Sequence, residues 1–438
     1  MGWLKNRKQK RQTETKWDGK EVISIECGDL IKELNSVLKE NMTLPALRYF
    51  TDLIYGWYQS LFRTDGEKQV LLLGTGVPAE LIHAVGIRPV RILGGSRDAC
   101  MWSDELVPRD LDPVSRSLLG YTHAFIRPGP DHYLYIVPVG CDSMRKIAFF
   151  LIREGKKVCV VDVPPERTDP YAQEKWVQQM IRMTGEVEVH TGKRVSAFSL
   201  RRAAREMASA REALTWFIRM ASDNRDVLTA AGQILVQNSL FYAEDIEEWI
   251  LQVNALTKDI KELGMRKPRF GDRRPRVLLA GSPMYFPNMK VPRLIGECGL
   301  DVCMNLDASM TGIDVVPRLG GAGSSIDRII GRVAMNWYQN DGGSFYTKNE
   351  VMREKILETA CSGQIDGVVY HILKGQIEPD FELEKMEAEL ESLGIPVFRL
   401  ETDYQFQDVE QLRIRMEAFS EMLVHNSVKK GRRMSVRA

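Results

Sequence analysis

The apolar residues of this chain follow two periodicities, one typical of helices and one typical of buried strands. Between 29 and 62 they recur at helical spacing, and Pro45 divides this stretch into two predicted helices. Beyond it, short and nearly continuous apolar runs alternate with helical patterns. The runs that we predict to be strands are 70–73, 89–93, 133–139 and 158–163. Continuous apolar strands separated by helices are typical of a parallel sheet that is covered on both faces.

The second half of the chain repeats this arrangement after a long stretch without strand signals. Residues 199–265 are charged and amphipathic, which indicates two or three helices. A second series of predicted strands follows at 276–281, 300–306, 366–373 and 395–400. The pattern therefore predicts an α/β protein with two similar parallel-sheet domains joined by helices. Ligands of such sheets gather at the carboxyl ends of the strands, and we expect the chemistry there.

The distribution of charge separates the two termini from the body of the chain. The 438 residues include 60 Lys and Arg against 59 Asp and Glu, but 1–20 and 428–438 are strongly basic. Basic ends with few apolar residues are typical of solvated tails, so 1–28 and 426–438 are predicted to be disordered. The near balance of charge over the whole chain argues against nucleic acid as a partner. The predicted units between the tails are N-terminal helices at 29–66, a first α/β domain at 67–198, a helical region at 199–274 and a second α/β domain at 275–425.

Cysteine usage and the lengths of the apolar runs limit the class of protein further. The seven cysteines are scattered without a CxxC pair, and no apolar stretch follows the basic amino terminus. The longest apolar runs fall short of the roughly 20 residues that span a bilayer. These features predict a cytoplasmic protein with no disulfide framework and no membrane partner. Because GxxxxGK[ST], GxSxG and HExxH patterns are missing from the sequence, we predict no ATP site in this chain and exclude the common hydrolase motifs.

Four stretches of the chain resemble one enzyme family, and they occur in the family order. They are VPAELIHAVGIRPV at 77–90, CDSMR at 141–145, DGVVYHILKGQ at 366–376, and LETDY at 400–404 with QLRIR at 411–415. Together they resemble the paired subunits of the (R)-2-hydroxyacyl-CoA dehydratase and benzoyl-CoA reductase family, of the 2-hydroxyglutaryl-CoA dehydratase D-component type. The resemblance runs from about 30 to 425.

The resemblance implies a fold, a reaction and two protein partners. Family subunits contain two flavodoxin-like parallel-sheet domains with additional helices, and two related subunits pair as a heterodimer. A separate ATP-dependent iron–sulfur activator supplies a low-potential electron, and an acyl-CoA or aroyl-CoA receives it. In the dehydratases the electron converts the thioester to a ketyl radical anion, so the unactivated β-proton becomes removable and the hydroxyl leaves. In the reductases the electrons enter an aromatic ring.

The cysteine pattern departs from that of the family. The resemblance implies a [4Fe–4S] cluster held by three thiolates from different strand-end loops, but only Cys141 matches such a position. The other two thiolate positions hold Asp112 and Gln376, and an extra early position that varies between family subunits holds Gly74. Aspartate is a hard oxygen donor and an amide is a poor ligand, so this set would hold a cluster weakly.

The departure leaves three interpretations of Cys141. In one, this chain bears the cluster, and the metal ligands are Cys141 and Asp112, or Cys141 and other cysteines that the fold brings close to it. In the second, which we favour, the cluster lies in the partner subunit and this chain shapes the site around it. In the third, Cys141 is an inert buried thiol, as free cysteines commonly are.

Three residues are candidates for catalytic roles. Glu80 opens a predicted helix at 79–85 near the end of the first strand, where a carboxylate acts as an acid or base or stabilises the helix terminus. Ser143 resembles a family residue near the cluster. His371 ends the predicted strand 366–371, and its alternative interpretation is a structural histidine.

Four residues are candidates for binding the substrate. Arg145 could face the phosphates of CoA, or it could belong to a solvated helix face. Ser282 and Tyr285 lie in the 281–289 loop, which corresponds to a substrate-contacting loop of the family. Gln376 is the last residue of the resembling stretch 366–376 and is the fourth candidate.

The interpretation that we favour is a subunit of an oxygen-sensitive enzyme that acts on an acyl-CoA or aroyl-CoA by radical dehydration or ring reduction. Two rival interpretations use the same fold. In one, the chain is a non-catalytic, cluster-less scaffold that pairs with a cluster-bearing paralogue. In the other, it is an electron carrier outside CoA chemistry. A neighbouring paralogue with the full cysteine set would favour the heterodimer.

Overall fold

The computed structural model of the chain describes residues 19–61, 68–125, 132–266, 274–310, 319, 325–343 and 345–435. Its strands are β1 (Gln69–Leu73), β2 (Val90–Ile92), β3 (Tyr133–Val139), β4 (Lys157–Asp162), β5 (Arg276–Gly281), β6 (Asp301–Asp307), β7 (Gly367–Leu373) and β8 (Val397–Thr402). Its α-helices are α1 (Gly19–Glu40), α2 (Leu47–Ser60), α3 (Glu80–His83), α4 (Arg97–Ser103), α5 (Pro113–Gly120), α6 (Asp142–Arg153), α7 (Pro170–Thr191), α8 (Ala197–Asp223), α9 (Ala230–Ser239), α10 (Ile246–Arg266), α11 (Lys290–Glu297), α12 (Ile326–Asn340), α13 (Glu350–Cys361), α14 (Glu378–Ser392) and α15 (Val409–Ser435).

The strands form two four-stranded sheets with the same topology. The first sheet has the order β2-β1-β3-β4 and the second the order β6-β5-β7-β8, and every neighbouring pair is parallel. This is the order of a flavodoxin-like sheet, so the predicted pair of such domains is confirmed. In each sheet, one central strand is followed by the strand at one edge, and the other central strand is followed by the strand at the opposite edge. The crevices at β1/β3 and β5/β7 are therefore the places where such sheets bind ligands.

The central strands are continuous apolar runs because helices cover both of their faces. All seven residues of β3 and all seven of β7 are buried. In the first sheet, Leu71 and Tyr135 face one large core, while Leu72 and Ile136 face a second. Alternate residues of a strand point to opposite faces, so an apolar residue is needed at every position.

The first and the last helix extend further toward the ends of the chain than predicted. Helix α1 begins at Gly19, so the predicted tail 1–28 is helical from that residue on, and 1–18 lie outside the described residues. Helix α15 continues to Ser435 through most of the predicted tail 426–438. The basic composition was the reason for predicting tails, but Lys and Arg are good helix formers and extend an existing helix at little cost.

The long helices α8 to α10 follow the first sheet, and within the described part of 199–266 the chain forms no strand, as predicted. Helix α12 belongs to the second half of the sequence but packs on the first sheet domain. The indole Nε1 of Trp176 on α7 donates to the backbone oxygen of Ala334 at 2.8 Å, and Ile330 and Val333 join the same core. This helix therefore ties the two sheet domains together.

The carboxyl edges of the two sheets face each other. A Cβ at Gly95, after β2, would lie 2.4 Å from the backbone oxygen of Tyr285, after β5. A Cβ at Gly375, after β7, would lie 2.8 Å from the backbone oxygen of Asp110 in the first domain. These close approaches place the loops that follow the strands of both domains in one contiguous region.

No helix among the described residues is long and apolar enough to cross a membrane. The glycine-rich stretch at 320–324 lies outside the described residues.

A close helix contact in the first domain gives a test of the fold. Helix α5 ends on Gly120, where an added Cβ would lie 1.8 Å from the backbone oxygen of Ala99 on α4. We expect Gly120→Ala to lower the free energy of unfolding by about 1–3 kcal/mol, because two helix backbones must separate. Urea denaturation monitored by circular dichroism measures this change.

The matched control is Gly56→Ala, because Gly56 lies in the exposed part of α2 and has no atom within 4 Å of its Cβ position. Alanine is the better helix former, so this control is expected to be neutral or to stabilise by up to about 1 kcal/mol. Equal losses in the two variants would contradict the described packing of α4 on α5.

Candidate functional site

A cleft opens beside the carboxyl edge of the first sheet. The segment from Thr75 to Glu80 forms one side, and α8 contributes a second. Side chains of α12, including Trp337, close the far side. Its lining mixes apolar side chains, Met207 and Leu240 among them, with the charged side chains of Glu80, Arg91 and Arg211, which we call the cleft floor. The cleft therefore offers both apolar and charged contacts to a ligand.

Glu80 lies in this cleft and is 2% exposed. One carboxylate oxygen pairs with the guanidinium of Arg211, which α8 supplies from 131 residues further along the chain. The other oxygen, Oε2, has no hydrogen-bond partner among the described residues. A buried carboxylate with one oxygen held by an arginine and one oxygen without a partner retains an acceptor site for a proton or a hydrogen bond.

Arg91 lies on β2 beside this pair and is also buried. Its Nη1 donates to the backbone oxygen of Gly74 at 3.1 Å, and its guanidinium lies 5.3 Å from the ring centroid of Phe241. Burial lowers the pKa of Arg91 to about 10, so the side chain stays charged at neutral pH. The cleft floor therefore holds a fixed cation.

The mouth of the cleft carries a second set of paired side chains. Arg88 contacts Nδ1 of His83 at 2.7 Å and forms an ion pair with Glu206 at 3.2 Å. Burial lowers the pKa of His83 well below its ordinary value, and the neighbouring arginines lower it further. His83 is consequently neutral near pH 7 and serves as an acceptor for Arg88.

The opposite wall of the cleft carries Asp341. Burial raises the pKa of this carboxyl to about 6, while Arg167, the hydroxyl of Tyr346 and the backbone N–H groups of 342 and 343 favour the charged form. A folded-state pKa above the ordinary value means that ionising Asp341 destabilises the fold as the pH rises through about 6.

A second polar group of residues lies where the two domains meet, and it contains three predicted site residues. Cys141 follows β3 and is the N-cap of α6. Asp112 is the N-cap of α5, and its Oδ1 accepts from the backbone N–H of Ser115 at 3.0 Å. The same oxygen lies 3.4 Å from Nε2 of Gln376, which follows β7 of the other domain. We call Cys141, Asp112 and Gln376 the interdomain corner.

Cys141 is half-buried in this corner. Burial raises the pKa of its thiol to about 11, and the carboxylates of Asp112 and Glu378 contribute to the rise. The backbone N–H groups of Met144 and Ser143 act in the opposite direction. The thiolate is the form that binds metals, and this environment favours the thiol.

The residues of the corner do not fit a [4Fe–4S] cluster. Asp112 and Gln376 are in hydrogen-bond contact, which leaves no gap for a cubane between them. Among the described residues, no three His, Cys, Asp or Glu side chains lie together in a way that could hold a metal ion. Cys100 is buried below the corner and donates to the backbone oxygen of Pro113 at 3.2 Å. The corner therefore offers one thiol, one capping carboxylate and one amide.

Two predicted site residues, one directly after β5 and one within β7, are buried and do not line the cleft. Ser282 is fully buried, and its hydroxyl accepts from the backbone N–H of Leu373 at 2.9 Å, so it joins β5 to β7. His371 is 3% exposed, and burial lowers its pKa to about 4. Its ring borders a small cavity of about 250 Å³ together with Tyr404, so the imidazole stays neutral inside the second domain.

Tyr285 lies between the cleft floor and the second domain. It is 4% exposed, and its hydroxyl is 3.5 Å from the hydroxyl of Thr75, which lines the cleft. Burial raises its pKa well above the ordinary value. Tyr285 therefore supports the cleft floor from behind, as a neutral phenol.

The remaining two predicted residues lie on α6. Ser143 is half-buried in the first turn of this helix, next to Cys141. Arg145 is 62% exposed and lies 3.7 Å from the carboxylate of Asp162, at the end of β4. The structure thus places Ser143 at the interdomain corner and Arg145 on a solvated face outside the cleft.

The sequence patterns did not single out two residues of the cleft floor. Arg91 carried a usable signal, because it is the only charged residue in the apolar run 89–93. A charge inside a buried strand requires a special reason. Arg211 carried no such signal, because it is one of many charged residues on a long amphipathic helix.

Sequence comparison with known proteins identifies the family of this chain. The family model of the 2-hydroxyglutaryl-CoA dehydratase D-component matches residues 75–423, a span that includes the cleft and the interdomain corner. YjiM of Escherichia coli (strain K12), named as a dehydratase subunit, is 26% identical over 369 residues, covering 82% of this chain and 92% of that protein. The (R)-phenyllactyl-CoA dehydratase beta subunit of Clostridium sporogenes is 22% identical over 363 residues, with the same coverage of 82% and 92%. The resemblance found in the four sequence stretches is confirmed: the chain belongs to the 2-hydroxyglutaryl-CoA dehydratase D-component family.

Proposed function

We propose that this chain is a subunit of an enzyme complex that removes water from a 2-hydroxyacyl-CoA. The observation that carries the proposal is the family match over 75–423, because it spans both sheet domains and the two polar regions between them. The name of the Clostridium sporogenes relative, a beta subunit of an acyl-CoA dehydratase, supports the same reaction class and a partner subunit.

The proposed reaction depends on making an unactivated proton acidic. An electron from a separate ATP-dependent iron–sulfur activator converts the thioester to a ketyl radical anion, which expels the 2-hydroxyl group. The β-proton is then acidic enough to be removed, and the electron is returned when the unsaturated thioester forms. The overall change is loss of one water, and the electron is not consumed. Such a radical requires a site from which water is excluded.

The cleft has features that suit this reaction. Glu80 is buried, is held in place by Arg211 and has one oxygen without a partner among the described residues, so we assign it the role of proton acceptor. The apolar walls formed by Met207, Leu240 and Phe241 would exclude water from a bound acyl group. Of the other predicted catalytic residues, Ser143 lies next to the interdomain corner and His371 is buried in the second domain.

We propose that the iron–sulfur cluster of the complex is bound by the partner subunit. The interdomain corner supports this assignment, since it supplies one thiol where a cluster needs several. The partner would be a paralogue with a full set of cysteines.

Ring reduction of an aroyl-CoA remains the second candidate reaction. The chain could also be a cluster-less scaffold without its own catalytic residues, or an electron carrier outside CoA chemistry. The buried ion pair of Glu80 and Arg211 inside a cleft favours a catalytic subunit over a scaffold, because ionised side chains are costly to bury without a function.

The test is anaerobic co-expression of this chain with its neighbouring paralogue and the activator protein. The purified complex is supplied with ATP, a low-potential reductant and a panel of 2-hydroxyacyl-CoA thioesters, and unsaturated thioesters are detected by mass spectrometry. We expect product only when all three proteins are present, and much less product with Glu80→Gln. Full activity of the paralogue and activator without this chain would refute the proposal, and full activity of Glu80→Gln would favour the scaffold.

A further inference from the structure

A cavity at the amino edge of the second sheet shares no lining residue with the cleft. Its lining comes from the 225–233 segment, from α11 and from Asp301 at the start of β6. The strands of the second sheet begin at this edge, whereas the cleft lies beside the edge at which the strands of the first sheet end. The proposed dehydration makes no use of the residues around this cavity.

Helix α9 begins at this cavity and leaves two backbone donors free. Thr229 is the N-cap, and its hydroxyl accepts from the backbone N–H of Gly232 at 3.2 Å. The backbone N–H groups of Ala230 and Ala231 have no hydrogen-bond partner among the described residues, and both residues line the cavity. Free donors and the positive end of the helix dipole favour an anion at this position.

The side chain of Gln233 indicates a ligand independently of the helix start. Gln233 is 4% exposed and lines the cavity, yet its amide has no hydrogen-bond partner among the residues that the structure describes. Helical side chains lean toward the start of their helix, so this fourth residue of α9 reaches back toward the free N–H groups. A buried amide without a partner is destabilising, and a ligand acceptor at the helix start would satisfy it.

Arg225 supplies a positive charge to the same side of the cavity. Its Nε lies 3.6 Å from one carboxylate oxygen of Asp301, and its Nη1 is buried without a hydrogen-bond partner in the described part of the chain. Arg274 lies 4.0 Å from the other oxygen of Asp301. Two guanidinium groups thus share one carboxylate, and neither distance is that of a hydrogen bond. Asp226, the next residue of the lining, is engaged by a contact of its own.

The remaining carboxylates of the lining lie on other elements and have their own cations. Glu40 at the end of α1 pairs with Arg293, which also holds Glu33. Glu297 at the end of α11 pairs with Arg413. The acidic side of the cavity is therefore the side on which α1 ends, and the positive side is the one on which α9 begins.

We propose that this cavity binds a phosphate group, either free inorganic phosphate or the phosphate of a small phosphorylated metabolite. The free N–H groups of α9, the amide of Gln233 and the guanidinium of Arg225 would donate to the phosphate oxygens. A carboxylate has only two oxygens, which lie in one plane, whereas a tetrahedral phosphate accepts hydrogen bonds from several directions. The inference does not depend on the proposed dehydration.

The position of the site makes its ligand an effector that is separate from the substrate. Helix α9 has 10 residues and is therefore about 15 Å long. Beyond the far half of this helix the cleft begins: Asn238 accepts from the backbone N–H of Phe286 at 2.9 Å, next to Tyr285 behind the cleft floor, and Leu240 lines the cleft itself. The proposed site and the cleft thus share one buried helix.

The experiment measures phosphate binding to the full-length chain by isothermal titration calorimetry in a phosphate-free buffer of constant ionic strength. The probes are inorganic phosphate, glycerol 3-phosphate and, as the uncharged control, glycerol. Ala230→Pro removes one free N–H, and proline is tolerated there because it is the first helical position and Thr229 before it is extended. Gln233→Leu removes the amide, Arg225→Gln removes the charge, and Arg225→Lys keeps it.

Two control variants carry the same kinds of change outside the cavity. Ala197→Pro replaces the first residue of α8, which also follows an extended N-cap, Ser196. Arg219→Gln removes an exposed arginine of the same helix. Circular dichroism spectra of each variant show whether the fold is retained, and Ala230→Pro keeps the test valid if an Arg225 variant unfolds.

We expect the unaltered chain and both controls to bind phosphate with a dissociation constant below about 1 mM. Ala230→Pro and Gln233→Leu should each weaken binding about three- to tenfold, which is the contribution of one hydrogen bond. Arg225→Gln should weaken it more than about tenfold because a charged donor is lost, and Arg225→Lys should retain part of the affinity.

The relative affinities of the probes decide the outcome. Tighter binding of glycerol 3-phosphate indicates a phosphorylated metabolite and tighter binding of inorganic phosphate indicates the free ion, and either result supports the site. Three results would overturn it: no saturable binding of either phosphate below about 10 mM, equal binding of glycerol, or phosphate binding that the cavity variants leave unchanged. The proposed dehydration stands in all of these cases, because none of the measurements involves the cleft.

Discussion

Replacing Asp112 and Gln376 by cysteine is expected to convert a chain that retains almost no iron into one that retains about four irons after anaerobic reconstitution. With Cys141, the double variant has three thiols at the interdomain corner, and an external thiol or solvent supplies the fourth ligand. The readouts are iron and acid-labile sulfide content and the broad visible absorption of a cubane cluster. None of these depends on enzymatic activity.

The geometry of the corner explains why two substitutions should suffice. Asp112 and Gln376 lie on different domains but are in hydrogen-bond contact, and Cys141 is close enough for the Asp112 charge to affect it. Cysteine is shorter than glutamine, so the change at 376 opens space at the point where the two side chains now meet. The loss of the Asp112 cap on α5 costs about 1 kcal/mol, which a folded domain of this size tolerates. Gly74 is left unchanged because its φ of 74° is unfavourable for cysteine.

The controls separate a built cluster site from iron that binds unspecifically. Adding Cys141→Ser to the double variant should abolish the gain in iron, and Asp112→Asn with Gln376→Glu should give none. If the unaltered chain alone holds about four irons that Cys141→Ser removes, then this subunit bears its own cluster, and the assignment of the cluster to the partner is wrong.

The fold was predictable because the apolar runs of the central strands leave little choice. The run at 133–139 contains only residues that the structure buries, and β3 occupies those seven positions. The same holds for β5 and β7 to within one residue. Parallel strands then bring their carboxyl ends to one edge of each sheet, and in this way Cys141 follows β3 and Gln376 follows β7 at edges that face each other. Asp112, the N-cap of α5, contacts Gln376 there although 264 residues separate the two.

The packing of elements across the domains was not predictable from periodicity. Helix α12 has a clear apolar stripe, but a stripe does not specify which sheet it covers, and it covers the first sheet rather than the second. Helices α4 and α5 are short and have weak patterns, so they were missed. The burial of Ser282 and His371 was not predictable either, because a position near a strand end is visible in a sequence, whereas burial behind a neighbouring strand is not.

Replacing Arg211 by methionine is expected to lower the free energy of unfolding by about 3–5 kcal/mol. The substitution leaves Glu80 2% exposed and without the guanidinium that neutralises it, and an uncompensated buried carboxylate is costly. Arg211 is itself 12% exposed on its side chain, so solvent screens this pair weakly. Urea denaturation of the purified chain at neutral pH measures the change.

Two further variants identify the buried charge as the cause. Glu80→Gln combined with Arg211→Met removes both charges, and it should recover more than half of the loss because an amide is far less costly to bury than a carboxylate. Arg202→Met breaks the pair with Glu206 on the same helix, where the arginine side chain is 64% exposed, and should cost less than about 1 kcal/mol. A loss in Arg211→Met no larger than in Arg202→Met would mean that Glu80 is not buried with its charge. In that case the cleft would lack the fixed carboxylate on which the proposed proton transfer depends.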